Sequence, residues 1–202
     1  MKLYSTSAAR NKAIIAEAFA RLLPSVHSVL ELASGTGEHA EAILTQRQDL
    51  KWQASDPDDE SRASASERME EHGQAAARSF DTRTDGWWQQ IPEAVDTVVA
   101  VNMIHITSRA GVEGLFRGAA ALLPAGGHLF LYGPMKRRGV TEDSNLRFDE
   151  SLKMRDPSWG VRDLDDELQP LGARFALSLA HVERVPANNH IVLFRQEGRE
   201  ES

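Results

Sequence analysis

The stretch "VLELASGTGEHA", residues 29–40, decides the fold of this 202-residue chain. An apolar run that contains Glu31 ends at Leu32, and small residues follow before a helix-like pattern begins near residue 37. Small residues let a backbone approach a ligand closely, and the free N–H groups at the start of the next helix can bind it. The stretch therefore predicts a strand, a ligand-binding turn and a helix.

Strands and helices alternate on both sides of this stretch. Strands are predicted at 28–32, 51–56, 76–81, 96–104 and 128–133, and helices at 7–23, 37–47, 59–72 and 109–123. Ser7 is predicted to cap the first helix. Such alternation predicts a parallel sheet with right-handed crossovers and helices on both faces.

The pattern changes after the fifth predicted strand. A segment bearing Gly, Pro and Arg, 134–160, leads to a predicted helix near 161–171 and then to strands at 174–184 and 189–195. The short connection "VPANN" between these strands predicts an antiparallel hairpin. We expect one domain over 1–202, an α/β fold with a Rossmann-like doubly wound sheet that is mostly parallel and ends in an antiparallel hairpin.

Composition excludes several classes of protein. A hydrophobic fraction of 41% and a charged fraction of 26% are ordinary for a soluble globular chain. The net charge of −7 argues against a nucleic-acid partner, whose phosphates need a basic field. The sequence lacks both an apolar signal core and an apolar run of membrane-spanning length, so no membrane is expected and a cytoplasmic location is predicted. It has no cysteine, its seven histidines lack metal-type spacing, and no metal site is expected. It carries no signal for an oligomeric state.

One segment departs from the acidic balance of the chain. Its cations are Lys136, Arg137, Arg138, Arg147, Lys153 and Arg155, within residues 134–155. They either face an acidic small substrate or form a solvated basic loop.

Two classes of nucleotide-binding protein fit the turn. Gly35 and Gly37, followed by Ala40, match the dinucleotide fingerprint G-x-G-x-x-G/A, and Asp56 lies about 20 residues further on. Glu31, however, would repel an anionic pyrophosphate and attract the cationic amino group of S-adenosylmethionine. The closing hairpin also differs from the parallel strands with which a dehydrogenase typically continues. The sequence therefore favours S-adenosylmethionine as the cofactor.

The motifs, taken in order, resemble a class I S-adenosylmethionine-dependent methyltransferase. They are "ELASGTG" (31–37), "SDPD" (55–58), "VVAVNMIHI" (98–106), "LLPAGGHLFLYGP" (122–134) and the closing hairpin. The chain is similar over its whole length to the methyltransferase-like protein 26 family, number 938 among the domains of unknown function. The segments that carry this resemblance are "SAARNK" (7–12), "ASGTGEHA" (33–40), "NMIHI" (102–106), "LYGPMKR" (131–137), "SLKMRDPSWGVRD" (151–163) and "VPANN" (185–189). Ala33 departs from the acidic-x-Gly-x-Gly-x-Gly pattern of the wider class; alanine tolerates most backbone conformations of glycine but disfavours positive φ.

The resemblance implies a set of cofactor-binding residues at the ends of the first four strands. They are Glu31, Ala33, Ser34, Gly35, Thr36, Gly37, His39, Asp56, Asp81 and Asn102. Asp56 would accept hydrogen bonds from the ribose hydroxyls or cap the next helix. Asp81 would meet the adenine amino group or form a turn. His39 would flank the cofactor or pack at the helix start.

A small-molecule acceptor is expected beneath residues 1–25, an N-terminal helix or lid, and the insertion 134–160. Asn102 would position the acceptor and His105 would take its proton, unless His105 is a residue of the core edge. Methyl transfer needs alignment more than a base, so the reaction does not require one. The candidate acceptor contacts are Arg10, Asn11, Tyr132, Trp159, Asn188, Asn189 and His190, although Asn188 and Asn189 would also suit the hairpin turn. Two alternatives stay open, a cofactor-binding or scaffolding protein without turnover and a nicotinamide-dependent oxidoreductase.

Overall fold

A computed structural model describes residues 1–91 and 93–198 of the protein. Six helices and six strands are named in chain order. They are α1 (Thr6–Leu22), β1 (Ser28–Leu32), α2 (Glu38–Gln46), β2 (Lys51–Ser55), α3 (Asp59–Glu71), β3 (Thr97–Val101), α4 (Arg109–Leu122), β4 (His128–Pro134), α5 (Asp143–Arg155), α6 (Gln169–Arg174), β5 (Leu177–Val185) and β6 (Asn189–Gln196). Short 3₁₀ turns lie at Trp87–Gln90 and Met103–His105, and a π turn at Leu164–Leu168 precedes α6.

The six strands form one sheet in the order β2-β1-β3-β4-β6-β5. The pairs β1–β2, β1–β3 and β3–β4 are parallel, and the pairs β4–β6 and β5–β6 are antiparallel. This confirms the predicted fold class, a mostly parallel doubly wound sheet that ends in an antiparallel hairpin. The described part of the chain contains no helix long and apolar enough to cross a bilayer.

Apolar packing covers both faces of the sheet. All five residues of β3 are buried, which explains its continuous Val and Ala sequence. Leu30 and Val98 point to a core shared with α4 and α6, whereas Val29 and Val99 point to a core shared with α1, α2 and α3. Helices on both faces bring the carboxyl ends of β1, β2 and β3 to one edge, where a doubly wound sheet binds its ligand.

The predicted strand at 76–81 is wrong as a strand. One residue, Arg78, bridges Ser55 in parallel, through bonds from Arg78 N to Ala54 O and from Asp56 N to Arg78 O. The Gln74 side chain accepts from the Trp52 amide at 2.9 Å, a bond that a neighbouring strand would otherwise make. Along this edge of β2, a single backbone bridge and a side-chain hydrogen bond thus replace a full ladder of backbone hydrogen bonds.

Three smaller predictions also need correction. The cap of α1 is Ser5, whose side chain accepts from Ala8 N, rather than Ser7. The insertion contains a helix, α5, which its Gly, Pro and Arg content had concealed. The predicted helix near 161–171 begins only at Leu164, with a π turn, because Asp163 caps it through the Asp165 and Asp166 amides.

Candidate functional site

The turn after β1 is tightly wound and closely packed. Ala33, Gly35 and Gly37 have positive φ values of 53°, 54° and 83°. A Cβ added at Gly37 would lie 2.8 Å from the Ala65 Cα of α3, so this position requires glycine for space as well as for φ. Ala33 adopts the conformation that alanine disfavours, and the turn therefore holds backbone strain at this residue.

Asp56 joins this turn to the end of β2. Its carboxylate accepts from the Gly35 amide at 2.9 Å through Oδ2 and from the Asp58 amide at 2.9 Å through Oδ1. Asp58, rather than Asp56, is the N-cap of α3. Each oxygen of Asp56 keeps a second lone pair, so the carboxylate can build the turn and still accept from a ligand.

A cavity of about 350 Å³ opens beside the turn, at the ends of β1, β2 and β3. Its lining residues are Leu32, Ala33, Asp56, Pro57, Phe80, Asp81, Thr82, Arg83, Met103, Ile106, Thr107, Ser108, Asp156, Ser158 and Trp159. The lining carries the carboxylates of Asp56, Asp81 and Asp156 and the guanidinium of Arg83. The predicted cofactor residues Ala33, Asp56 and Asp81 thus meet in one acidic cavity.

Asp81 is ionised and forms a turn at the cavity wall. Arg83 donates to it through Nε at 2.9 Å, through Nη2 at 2.6 Å and through its own backbone amide at 2.9 Å. The Arg83 guanidinium lowers the pKa of the Asp81 carboxyl below its ordinary value. The turn-forming role considered for Asp81 is therefore present, and its carboxylate also borders the cavity.

Glu31 lies behind the cavity rather than in its wall. Its side chain is buried and accepts from Trp52 Nε1 at 3.2 Å. Burial raises the pKa of the Glu31 carboxyl to about 7, because removal from water disfavours the charged form. At neutral pH this carboxyl is close to its midpoint, and a nearby cation would favour its ionised form.

The N-terminal segment is fastened to the turn by two residues that sequence reasoning missed. Buried Glu38 accepts from the Ser5 amide at 2.7 Å, from Thr36 Oγ1 at 3.0 Å and from Lys12 Nζ at 3.3 Å. Fully buried Arg68 donates to Thr36 O at 3.0 Å and to a backbone carbonyl near the N-terminus. In the sequence both residues resemble the exposed charges of surface helices. Nothing in the sequence indicates that they are buried and bind the N-terminal segment.

His39 and two candidate acceptor contacts meet on the α1 face of the sheet. His39 Nε2 lies 2.9 Å from Asn11 Oδ1, and burial lowers the pKa of His39 to about 4. Burial raises the pKa of the Tyr132 hydroxyl, and the neighbouring Asn11 side chain opposes this effect. Arg10, next to Asn11, is exposed and does not join this group. His39, Asn11 and Tyr132 thus lie together on the α1 face of the sheet, outside the cavity.

Asn102 and His105 lie side by side against Gly133. A Cβ added at Gly133 would lie 2.4 Å from His105 Nε2 and 3.2 Å from Asn102 Oδ1. Among the described residues neither ring nitrogen of buried His105 has a hydrogen-bond partner, and burial lowers its pKa to about 3. Their neighbour Met103 lines the cavity, whereas these two do not.

The remaining acceptor candidates separate into two places. Asn188 lies in the hairpin turn, as the alternative interpretation had it, at φ 58° and with its carbonyl accepting from Asn145 Nδ2 at 3.0 Å, whereas Asn189 is the first residue of β6. His190 is buried opposite Gly133 in the neighbouring strand. Trp159 lies elsewhere, in the wall of the cavity.

Comparison with known proteins identifies the family of the chain and proteins of similar fold. Residues 2–196 match the model of a family described as "Protein of unknown function (DUF938)". An O-methyltransferase family protein from Burkholderia thailandensis superposes with a TM-score of 0.79 at 16% identity, over 96% of this chain and 57% of that one. Human N-acetylserotonin methyltransferase in complex with SAM gives 0.76 at 15% identity, over 96% and 53%. An O-methyltransferase family 2 protein from Planctomyces limnophilus, in complex with apigenin, gives 0.75 at 20% identity, over 94% and 59%. The chain spans little more than half the length of these proteins, with which it shares the fold.

Proposed function

We propose that this chain, which belongs to the DUF938 family of proteins of unknown function, is an S-adenosylmethionine-dependent methyltransferase that acts on a small molecule. The observation that carries the proposal is the acidic cavity beside the strained turn, in a fold of the class I methyltransferase type. The position of the cavity at the carboxyl ends of parallel strands is that of a ligand site in doubly wound sheets.

The charge of the cavity supports this cofactor over a dinucleotide. Asp56, Asp81 and Asp156 outnumber Arg83 in its lining, and Arg83 is already paired with Asp81. S-adenosylmethionine carries a sulfonium and an ammonium cation, whereas a dinucleotide carries an anionic pyrophosphate. Like charges repel more strongly in a partly desolvated cleft than in water, so the lining favours the cation.

The residues present fit the cofactor. Asp56 would accept from the ribose hydroxyls through its remaining lone pairs, and Asp81 would accept from the adenine amino group. Ala33 and the glycines of the turn leave room for close approach of the backbone. When bound, the cofactor supplies an activated methyl group on a sulfonium. The work left to the chain is to align the acceptor and to exclude water.

His105 is not assigned the role of a base in this proposal. With a pKa of about 3 the imidazole is neutral at physiological pH and a weak proton acceptor. We assign Asn102 and His105 to shaping the reaction side of the site, where both contact the glycine backbone at Gly133. The acceptor hydroxyl, amine or thiol would lose its proton to solvent.

The oxidoreductase alternative has a second sequence feature in its favour, besides the dinucleotide fingerprint of the turn. Tyr132 and Lys136 have the Tyr-x-x-x-Lys spacing of the short-chain dehydrogenase dyad. Tyr132 lies on β4, where residues four apart are separated by about 13 Å rather than by one helical turn, and Lys136 pairs with Asp149 at 3.2 Å. The two side chains therefore lack the arrangement that the dyad requires.

That the acceptor is anionic stays a prediction. Lys136 pairs with Asp149 and Arg137 with Asp165, so much of the basic charge of the insertion is neutralised within the fold. Arg138 is exposed at positive φ and is the member of the three best placed to steer an anion. The small-molecule partner and the cytoplasmic location likewise stay predictions.

Isothermal calorimetry tests the cofactor assignment. The protein should bind S-adenosylmethionine and S-adenosylhomocysteine and should not bind NAD or NADP. Dinucleotide binding without a response to either sulfur ligand would overturn the proposal. Incubation of small-molecule extracts with a labelled methyl donor then tests turnover, and cofactor binding without transfer to any extract would favour the non-catalytic alternative.

A further inference from the structure

We propose that Trp159 and Asp156, in the segment that follows α5, belong to the binding site for the adenosine part of the cofactor rather than to the acceptor site. The inference rests on the proposed function and assigns to the cofactor a segment from the acceptor side of the fold. These two residues come from the second half of the chain, whereas the turn after β1 and the ends of β2 and β3 come from the first half.

The first support is the composition of the cavity wall. Asp156, Ser158 and Trp159 line the same cavity as Asp56 and Asp81. Those two carboxylates are the groups proposed to meet the ribose and the adenine amino group. A ligand held by both would occupy the cavity that Asp156, Ser158 and Trp159 also line.

The second support is that this segment is held in place by buried contacts. The Arg162 side chain, 6% exposed, donates to Ile104 O at 2.9 Å, to Thr107 O at 2.6 Å and to Ser158 O at 3.0 Å. The Gly160 amide donates to His105 O at 3.0 Å. The segment is thus bonded directly to the loop that follows β3, which forms the facing part of the cavity wall.

Gly160 allows the segment 156–160 to pass close to α5. Its φ is 154°, and a Cβ added there would lie 2.7 Å from Asp149 Oδ1. The same Oδ1 accepts from the Val161 amide at 2.7 Å. The close approach of the segment to α5 therefore requires glycine at position 160.

The Trp159 indole presents a surface suited to a nucleoside. The Arg155 guanidinium lies over the ring, 5.1 Å from its centroid, which leaves the rest of the half-buried indole to border the cavity. Aromatic side chains bind bases by stacking, with strength that depends little on the base. Asp156 adds beside it a carboxylate, which can accept from the hydroxyl or amino groups of a nucleoside.

Trp88 provides a matched control. It is also half-buried and also carries an arginine over its ring, Arg117 at 5.3 Å, but it does not line this cavity. Substitution of either tryptophan removes an indole with a cation–π partner. A difference between the two variants therefore reports the cavity rather than the loss of a surface tryptophan.

The test measures the dissociation constants of S-adenosylhomocysteine and adenosine by calorimetry. Trp159→Ala should weaken both by about 10-fold, as expected for the loss of one stacked base contact, and Trp88→Ala should change neither. Trp159→Phe should retain most of the affinity. It should also lose the change in tryptophan emission that S-adenosylhomocysteine causes in the wild type, a readout that survives if the alanine variant folds poorly.

The outcomes separate this inference from the proposed function. If the wild type binds S-adenosylhomocysteine and Trp159→Ala binds both probes with unchanged affinity, the inference is overturned and the cofactor assignment stands. If the wild type binds neither probe, both fall. An emission change that persists in Trp159→Phe and disappears in Trp88→Phe would also overturn it.

Discussion

Replacement of Glu31 by glutamine should stabilise the free protein at alkaline pH and have little effect in acid. Glu31 is fully buried, and glutamine keeps an oxygen that can accept from Trp52 Nε1. The substitution removes the ionisation and preserves the shape. Any dependence of its effect on pH therefore reports the carboxyl group itself.

The structure sets the size of the effect. Burial raises the pKa of Glu31 from 4.5 to about 7, a difference that corresponds to about 3 kcal/mol. Because the pKa is higher in the folded state, its contribution to stability is fully present below the unfolded value and is lost as the pH rises through the folded value. The free energy of unfolding of Glu31→Gln should therefore gain about 3 kcal/mol on the wild type between about pH 4.5 and about pH 8.5.

Glu38→Gln is the control, for which we expect the opposite dependence of stability on pH. Glu38 is as deeply buried, but the hydrogen bonds from Ser5 and Thr36 and the charge of Lys12 outweigh the effect of burial and lower its pKa. Its contribution is present above the unfolded pKa and is lost as the pH falls through the folded value. Glu38→Gln should therefore destabilise the protein at neutral pH and do so less in acid.

Urea unfolding at a series of pH values measures both differences. The reasoning fails if the difference between Glu31→Gln and the wild type stays constant across the series, or if Glu31→Gln and Glu38→Gln show the same trend. A constant difference would mean that water or a local opening solvates Glu31 and that its pKa is ordinary.

Three further substitutions test other parts of the site. Ala33→Gly should raise the free energy of unfolding by about 1 kcal/mol, because it relieves a positive φ of 53°; chemical denaturation measures this, and a loss of stability would contradict it. Asp56→Ala should weaken S-adenosylhomocysteine binding by about 1.5–3 kcal/mol, since it removes the acceptor for the ribose and for the turn; an unchanged calorimetric dissociation constant in a folded variant would refute it. Arg138→Ala should raise the apparent KM of an anionic acceptor without changing cofactor affinity, because Lys136 and Arg137 are paired with carboxylates whereas Arg138 is exposed; the effect should fade at about 0.5 M salt, where the Debye length is about 4 Å. If KM is unchanged against an identified substrate, the acceptor is not recognised through this charge.

The positions of β1 to β6 were predictable because burial leaves a hydrophobic pattern in the sequence. The uninterrupted apolar run of β3 and the alternation of strands with helices are produced by a sheet covered on both faces. The strand predicted at 76–81 failed for a local reason. Its neighbour β2 is bonded by the Gln74 side chain, and no pattern of hydrophobicity records the target of an amide side chain.

The candidate cofactor residues meet where the backbone brings them together. The turn after β1 and the end of β2 lie at one edge of a parallel sheet, so the meeting of Ala33 and Asp56 was predictable. Asp81 joins them from the chain that follows the single bridge at Arg78. Side-chain direction was not predictable by the same means. Glu31 alternates with its neighbours along β1 and points to the α1 face, so it lies behind the cavity rather than in its wall.

The assignment of residues 134–160 to the acceptor side rested in part on their basic charge, and ion pairs within the fold take up much of that charge. Asp149 pairs with Lys136 and Lys153, so these two cations are neutralised inside the insertion. Arg162, just beyond the insertion, donates to the carbonyls of Ile104 and Thr107 in the loop after β3 and to that of Ser158. The end of the insertion and the loop after β3 are therefore held together at Arg162. Displacement of either segment would break these hydrogen bonds, so we expect the two segments to move together.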